Sequence, residues 1–115
     1  MVEIIWHQRL ETDEFRIGSN KVLEIVQQQG SAHLLIDARK LGPFKAEDQG
    51  WLKEVIFPQI TKLSLIKIAR VIGSDLFTQI ILSNLMHHVH SQLQVELEME
   101  TFYSREEALE WLFED

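Results

Sequence analysis

The 115-residue chain contains no cysteine. That excludes a disulfide framework, a thiolate nucleophile and any metal site built on sulfur. A chain of this length can bury a core without such staples, and the absence fits a reducing compartment. Glycine is scarce, with five residues, and none is spaced to cradle a nucleotide phosphate. The nucleophile elbow Gly-x-Ser-x-Gly and the zinc motif His-Glu-x-x-His are also missing. No apolar run approaches the ~18–20 residues that a membrane span needs. The opening Met1-Val2-Glu3-Ile4 lacks the basic and apolar regions of a secretion signal. A cytoplasmic address without integral membrane contact is therefore expected. Positive charge is in short supply: 11 Lys and Arg stand against 18 Asp and Glu, for a net charge of −7. An acidic surface disfavours nucleic acid as a partner, because it is itself a polyanion.

What is present is ordinary globular material, 45% hydrophobic and 25% charged. It suits one domain over residues 1–115. The organising stretch is His33-Leu34-Leu35-Ile36-Asp37-Ala38-Arg39. Its apolar run suits a strand buried on both faces of a parallel sheet. A carboxylate closes the run, and the loop Lys40-Leu41-Gly42-Pro43-Phe44-Lys45 follows. In open α/β sheets ligands and partners are met beyond the carboxyl ends of strands.

The remaining elements fall into alternation. Val2–His7 reads as a first strand. Thr12 is placed to cap a helix whose first turn holds Asp13 and Glu14. Its apolar stripe is Phe15, Val22, Leu23, Ile25 and Val26, and Gly30 stops it. Gly18 within it implies a late start or a neighbour packed close. A second helix begins near Ala46 and carries Trp51, Leu52, Val55 and Ile56. Pro58 must kink or restart it. Leu65–Ile72 is a third strand. Ser74 or Asp75 caps a third helix, with Phe77, Ile80, Ile81, Leu85 and Val89 expected toward the core. Val95, Leu97 and Met99 alternate with Glu96, Glu98 and Glu100 in a fourth strand near an edge. Ser104-Arg105-Glu106-Glu107 is a capping box opening a last helix. The order β-α-β-α-β-α-β-α predicts an α/β domain with a four-stranded, mostly parallel sheet.

Several pieces together resemble a known group. They are Leu35-Ile36-Asp37-Ala38-Arg39, Glu47-Asp48-Gln49 with Trp51-Leu52, Pro58, Lys67-Ile68-Ala69, Asp75-Leu76-Phe77, and the closing run from Phe102 to Leu112. The pattern is similar to that of the SpoIIAA-like proteins, small bacterial STAS-type (STAS/SEC14 domain) chains. The resemblance implies a four-turn β/α superhelical fold, most often no assigned activity, and dimerisation. Better-known STAS relatives are anti-sigma-factor antagonists switched by phosphorylation of a serine after a central strand. No serine or threonine lies between Ser31 and Thr61 here, so that switch does not carry over. Relatives named for SEC14 are much longer, and this chain is too short to enclose a full lipid tail.

Candidate chemistry gathers at the expected working edge. Asp37, Arg39, Lys40 and Lys45 put three cations beside the end of a central strand and before a helix start. They suit a small anion or an acidic partner, the plainer alternative being strand-end salt bridges and solvated lysines. Phe44 at the loop tip can serve as a partner anchor, as a lid over a pocket, or simply fold back on Trp51. Ser74 and Asp75 belong to the neighbouring loop. His87, His88 and His90 offer only one pair at helical spacing, and a dipole-complementing helix end is the simpler account. The glutamates at 96, 98 and 100 suit a solvated edge. No catalytic arrangement, cofactor or metal site is expected.

Two functions follow. In the first, a non-catalytic module binds a protein partner or itself, as a homodimer for example, through Phe44, Arg39 and Asp75. In the second, a sensor holds an amphipathic or anionic metabolite between the Phe44 loop and the helix starting near Ser74. An exposed Phe44 favours the first, and an apolar pocket at Phe44 favours the second.

Overall fold

The computed structural model describes residues 1–92 and 97–114. Four strands form one sheet: β1 (Val2–Ile5), β2 (His33–Asp37), β3 (Lys67–Val71) and β4 (Glu98–Phe102). All pairings are parallel, and the strand order is β1-β2-β3-β4. Strands laid down in simple order, each joined by a right-handed crossover, put every connection on the same face. The connections are α1 (Thr12–Gln29), the interrupted helix at residues 46–60, and α4 (Leu76–Gln92). The last helix, α5 (Arg105–Leu112), is not a crossover and covers the opposite face.

Strand parity then sorts the side chains. Leu34, Ile68, Ile72 and Met99 face the three connections. Leu35, Ala69 and Val71 face α5, where Ala108 and Leu112 meet them. Leu34 and Leu35 are both fully buried, as a doubly covered strand requires. Ala69 opposite Ala108 lets α5 lie close to the sheet. Arg105 fastens its start to β1 through two bonds to Glu3, of 2.7 and 2.9 Å. Lys67 donates to the Trp111 carbonyl at 2.8 Å and sits over the Trp111 ring, placing a cation at the helix's negative end. β4 lies at the sheet edge, with Glu98 and Glu100 exposed.

Local chemistry explains the helices. Ser104 Oγ accepts from the Glu107 N–H at 3.2 Å, as the capping box predicts. Gly30 ends α1 in a left-handed conformation, φ 59°. The cap of α1 is Glu11 rather than Thr12, with the Glu14 carboxylate accepting from the Glu11 N–H. The Thr12 hydroxyl donates instead to Glu47 at 3.0 Å, tying α1 to the next helix. The glycine inside α1 has a close neighbour: a β-carbon on Gly18 would lie 2.7 Å from the Trp6 indole.

Pro58 restarts its helix. α2 (Ala46–Trp51) passes through a π-helical turn, Leu52–Ile56, into α3 (Phe57–Ile60). The Phe57 N–H reaches back five residues to the Leu52 carbonyl. Pro58 has no N–H to continue the tighter ladder, so the widened turn precedes it. The turn points Leu52 and Ile56 into the core.

The expected phase of α4 requires correction. Thr78, Leu82 and Leu85 face inward, whereas Phe77 is 72% and Ile80 50% exposed. Apolar residues occur all round this helix, so periodicity alone does not fix which stripe is buried. Asp75 sets the phase by capping at the start and directing Thr78 inward. Val95, Glu96 and the side chains of Val89 and His90 lie outside the described residues; His87 is exposed and His88 half-buried.

Candidate ligand-binding site

Three helices crowd one face of the sheet, and they do not fill it. A cavity of about 110 Å³ lies between that face and α1, the π-turn and α4. Its wall is almost entirely apolar, with Phe15 and Val26 from α1, Ile36 from β2, and Ile56 and Leu82 from the helices opposite. Phe44 closes one end. Its ring is half-buried and stands 5.3 Å from that of Phe15, rather than against Trp51 or in solvent.

Three polar side chains reach this cavity: Ser19, Arg70 and Thr78, all buried. The Thr78 hydroxyl is committed to Asp75, donating at 2.8 Å. Arg70 is the unusual one. It is the penultimate residue of β3, beside Ile36 and Thr101 in register, and is only 8% exposed. Its Nη2 donates to Thr101 Oγ1 at 3.2 Å. Its Nε is buried and makes no hydrogen bond. Burial pulls its pKa down to about 10, against the opposing pull of the Glu100 charge.

Among the described residues two other buried polar atoms lack a hydrogen bond, Arg16 Nε and Asp48 Oδ1. Those two face each other at 3.7 Å and compensate in charge. Arg70 forms no ion pair among the described residues. An isolated buried cation is held at a penalty of several kcal/mol unless something neutralises it. Its place on an apolar cavity wall makes it the chemical focus of the fold.

The residues singled out from sequence occupy the rim beyond the strand ends. Asp37 binds its own neighbour: Arg39 Nε and Nη2 donate to its carboxylate at 3.0 and 2.7 Å, and the Arg39 N–H adds a third bond. The Arg39 hydrogen bonds hold the Asp37 carboxyl below the usual range. Lys45 donates to Glu11 at 2.9 Å, and that bond raises its pKa. Lys40 is exposed in the turn. Ser74 is exposed, its carbonyl accepting from Gln79. Asp75 caps α4, accepting from the Thr78 hydroxyl and from the Phe77 N–H, and these bonds lower its pKa. A β-carbon on Gly73 would lie 3.8 Å from the Arg39 carbonyl, so the two loops are in contact. Phe44 alone of the seven lines the cavity beside Arg70.

The four-stranded parallel sheet, its alternation with helices and the closing capping box match the pattern read from the sequence, and the SpoIIAA-like family model matches residues 1–113. The chain belongs to the SpoIIAA-like family. No curated protein and no solved structure matches it. SpoIIAA-like membership supports a STAS-type regulatory or interaction module, in a family that is generally non-catalytic and whose STAS relatives often mediate protein interactions. Among the described residues no helix is long and apolar enough to cross a membrane.

Arg70 was not among the residues singled out from sequence. The signal was there: a charged residue at an inward position of Leu65-Ile66-Lys67-Ile68-Ala69-Arg70-Val71-Ile72. Lys67 at the strand's start escapes to α5, but Arg70 points to the face covered by the three connections and has no such exit.

Proposed function

We propose that this SpoIIAA-like domain, spanning residues 1–115, is a non-catalytic cytoplasmic module whose input is a small amphipathic anion. The observation that carries the reading is the Arg70 guanidinium, buried without an ion pair among the described residues on the wall of an apolar cavity. An anion seated there would neutralise the cation while its apolar part covers Phe15, Ile36 and Leu82. Phe44 acts as the lid. The rim residues Asp37, Arg39, Lys40, Lys45, Ser74 and Asp75 frame the loops through which a ligand enters. Nothing in the arrangement supplies a nucleophile or a pair of carboxylates with divergent surroundings, so binding rather than turnover is the expected chemistry.

Calorimetric titration with alkyl carboxylates, sulfates and phosphates tests this. Saturable heat from at least one series, lost in Arg70→Met, is the expected result. A flat response to all three overturns the reading.

A second reading, that the module binds a protein partner or another copy of itself, is favoured by a different observation. Leu76, Phe77 and Ile80 leave exposed apolar surface at the start of α4, next to Asp75. The two readings are compatible if the ligand reports to that surface through α4, whose Thr78 and Leu82 line the cavity. Sedimentation velocity on the natural chain and on Phe77→Ser tests self-association. A concentration-independent monomer in both excludes it.

A further inference from the structure

Resting on the reading above, we infer that the occupant is a free aliphatic monocarboxylate of about three or four carbons, with its head on Arg70 and its tail among Phe15, Val26 and Ile56. The size follows from the space. The cavity offers about 110 Å³, less than the ~150 Å³ that accommodates benzene in an apolar protein interior. At roughly 30 Å³ per water-sized group it takes about four such groups, the carboxylate included. A long acyl chain does not fit without unpacking Leu34, Leu85 or Val26, all fully buried.

The head group follows from the donors. Of the five guanidinium N–H bonds one, on Nη2, is spent on Thr101, and Nε is buried with no acceptor. An edge of the planar guanidinium presents two N–H groups side by side, which suits the two oxygens of a planar carboxylate. A phosphate or sulfate would bring further oxygens that need donors. The other polar groups on the wall are only Ser19 and Thr78, and the Thr78 proton is committed to Asp75. A single negative charge balances a single cation. A dicarboxylate would bury a second charge against the leucines and isoleucines of the wall.

The test is calorimetric titration of the full chain with sodium acetate, butyrate, hexanoate and succinate, and with butan-1-ol, repeated on Arg70→Met. The expected affinity rises roughly tenfold from acetate to butyrate as further methylenes are buried, with no further gain at hexanoate and no binding of succinate. Arg70→Met weakens butyrate at least tenfold and leaves butan-1-ol unchanged. If hexanoate binds tighter than butyrate and depends on Arg70, or if an alkyl sulfate or phosphate binds where butyrate does not, the short-carboxylate inference falls while the amphipathic-anion reading stands. If no amphipathic anion binds the natural chain, both fall. Butyrate binding equally well to Arg70→Met removes Arg70 as the anchor and overturns the inference.

Discussion

Replacing Arg70 by methionine should make the ligand-free protein more stable, and the size of the gain can be worked out. Burial brings the guanidinium pKa well down from its ordinary value, to about 10. At about 1.4 kcal/mol per tenfold change in proton affinity, holding the cation inside costs about 3 kcal/mol. The hydrogen bond to Thr101 returns about 1 kcal/mol of that. Methionine fills similar volume, brings no charge and adapts to an irregular wall. The net expectation is a gain of about 2 kcal/mol, or roughly 8 °C in Tm for a domain of this size. Urea unfolding followed by tryptophan fluorescence and by circular dichroism measures it. The variant should also lose binding of the amphipathic anion, so stability and function move in opposite directions, as in a site that retains a costly group for its ligand. If Arg70→Met is instead destabilised by about 3–5 kcal/mol, the guanidinium is one half of a satisfied buried ion pair, and the reasoning fails.

Three further outcomes follow from the packing and charge. Gly18→Ala, which in an open helix would add about 1 kcal/mol, should instead remove about 1–2 kcal/mol, because the new methyl meets the Trp6 ring, itself packed on Phe15; a stabilised variant in urea unfolding refutes the close approach. Leu112→Ala should lower stability by about 2–4 kcal/mol, since Leu112 is fully buried between α5 and the sheet; an effect under 1 kcal/mol shows that α5 is not part of the cooperative unit. Asp37 and Glu3 both have pKa values lowered by the side-chain hydrogen bonds from Arg39 and Arg105. Their contribution is therefore fully present above the ordinary values of 3.8 and 4.5 and disappears as pH falls through the lowered folded-state values. The Asp37→Asn, Glu3→Gln double variant should show a shallower fall of the urea midpoint between pH 5 and about 2, and an unchanged fall argues against the two pairs.

The fold was readable where one level of the sequence dominated. Leu34-Leu35-Ile36 could only be an interior strand, and Ser104 with Glu107 could only open a helix. The simple strand order then placed three helices on one face by chirality alone. Reading failed where several faces were equally apolar. In α4, Phe77 and Ile80 fit a core stripe as well as Leu82 and Leu85 do, and only the Asp75–Thr78 cap decides between them. The π-turn was half legible: Pro58 announces a break, but its widened geometry depends on which carbonyl Phe57 finds. At the site, charge near a strand end drew attention to Arg39, Lys40 and Lys45, yet Arg39 and Lys45 are matched by Asp37 and Glu11. The informative cation was the one within a strand, on its covered face. Arg70 reads as a surface residue by type and as a core residue by position, and that conflict between levels marks a functional position more sharply than a charge cluster does.

The most direct measurement follows the Arg70 Nε–H signal by NMR on arginine-labelled protein while sodium butyrate is added. If the carboxylate docks as inferred, that resonance moves downfield and saturates with butyrate, stays still with butan-1-ol, and moves further than those of Arg9, Arg16, Arg39 and Arg105. An unmoved Arg70 signal while Arg39 responds would place anion recognition on the outer rim and contradict a ligand site inside the fold.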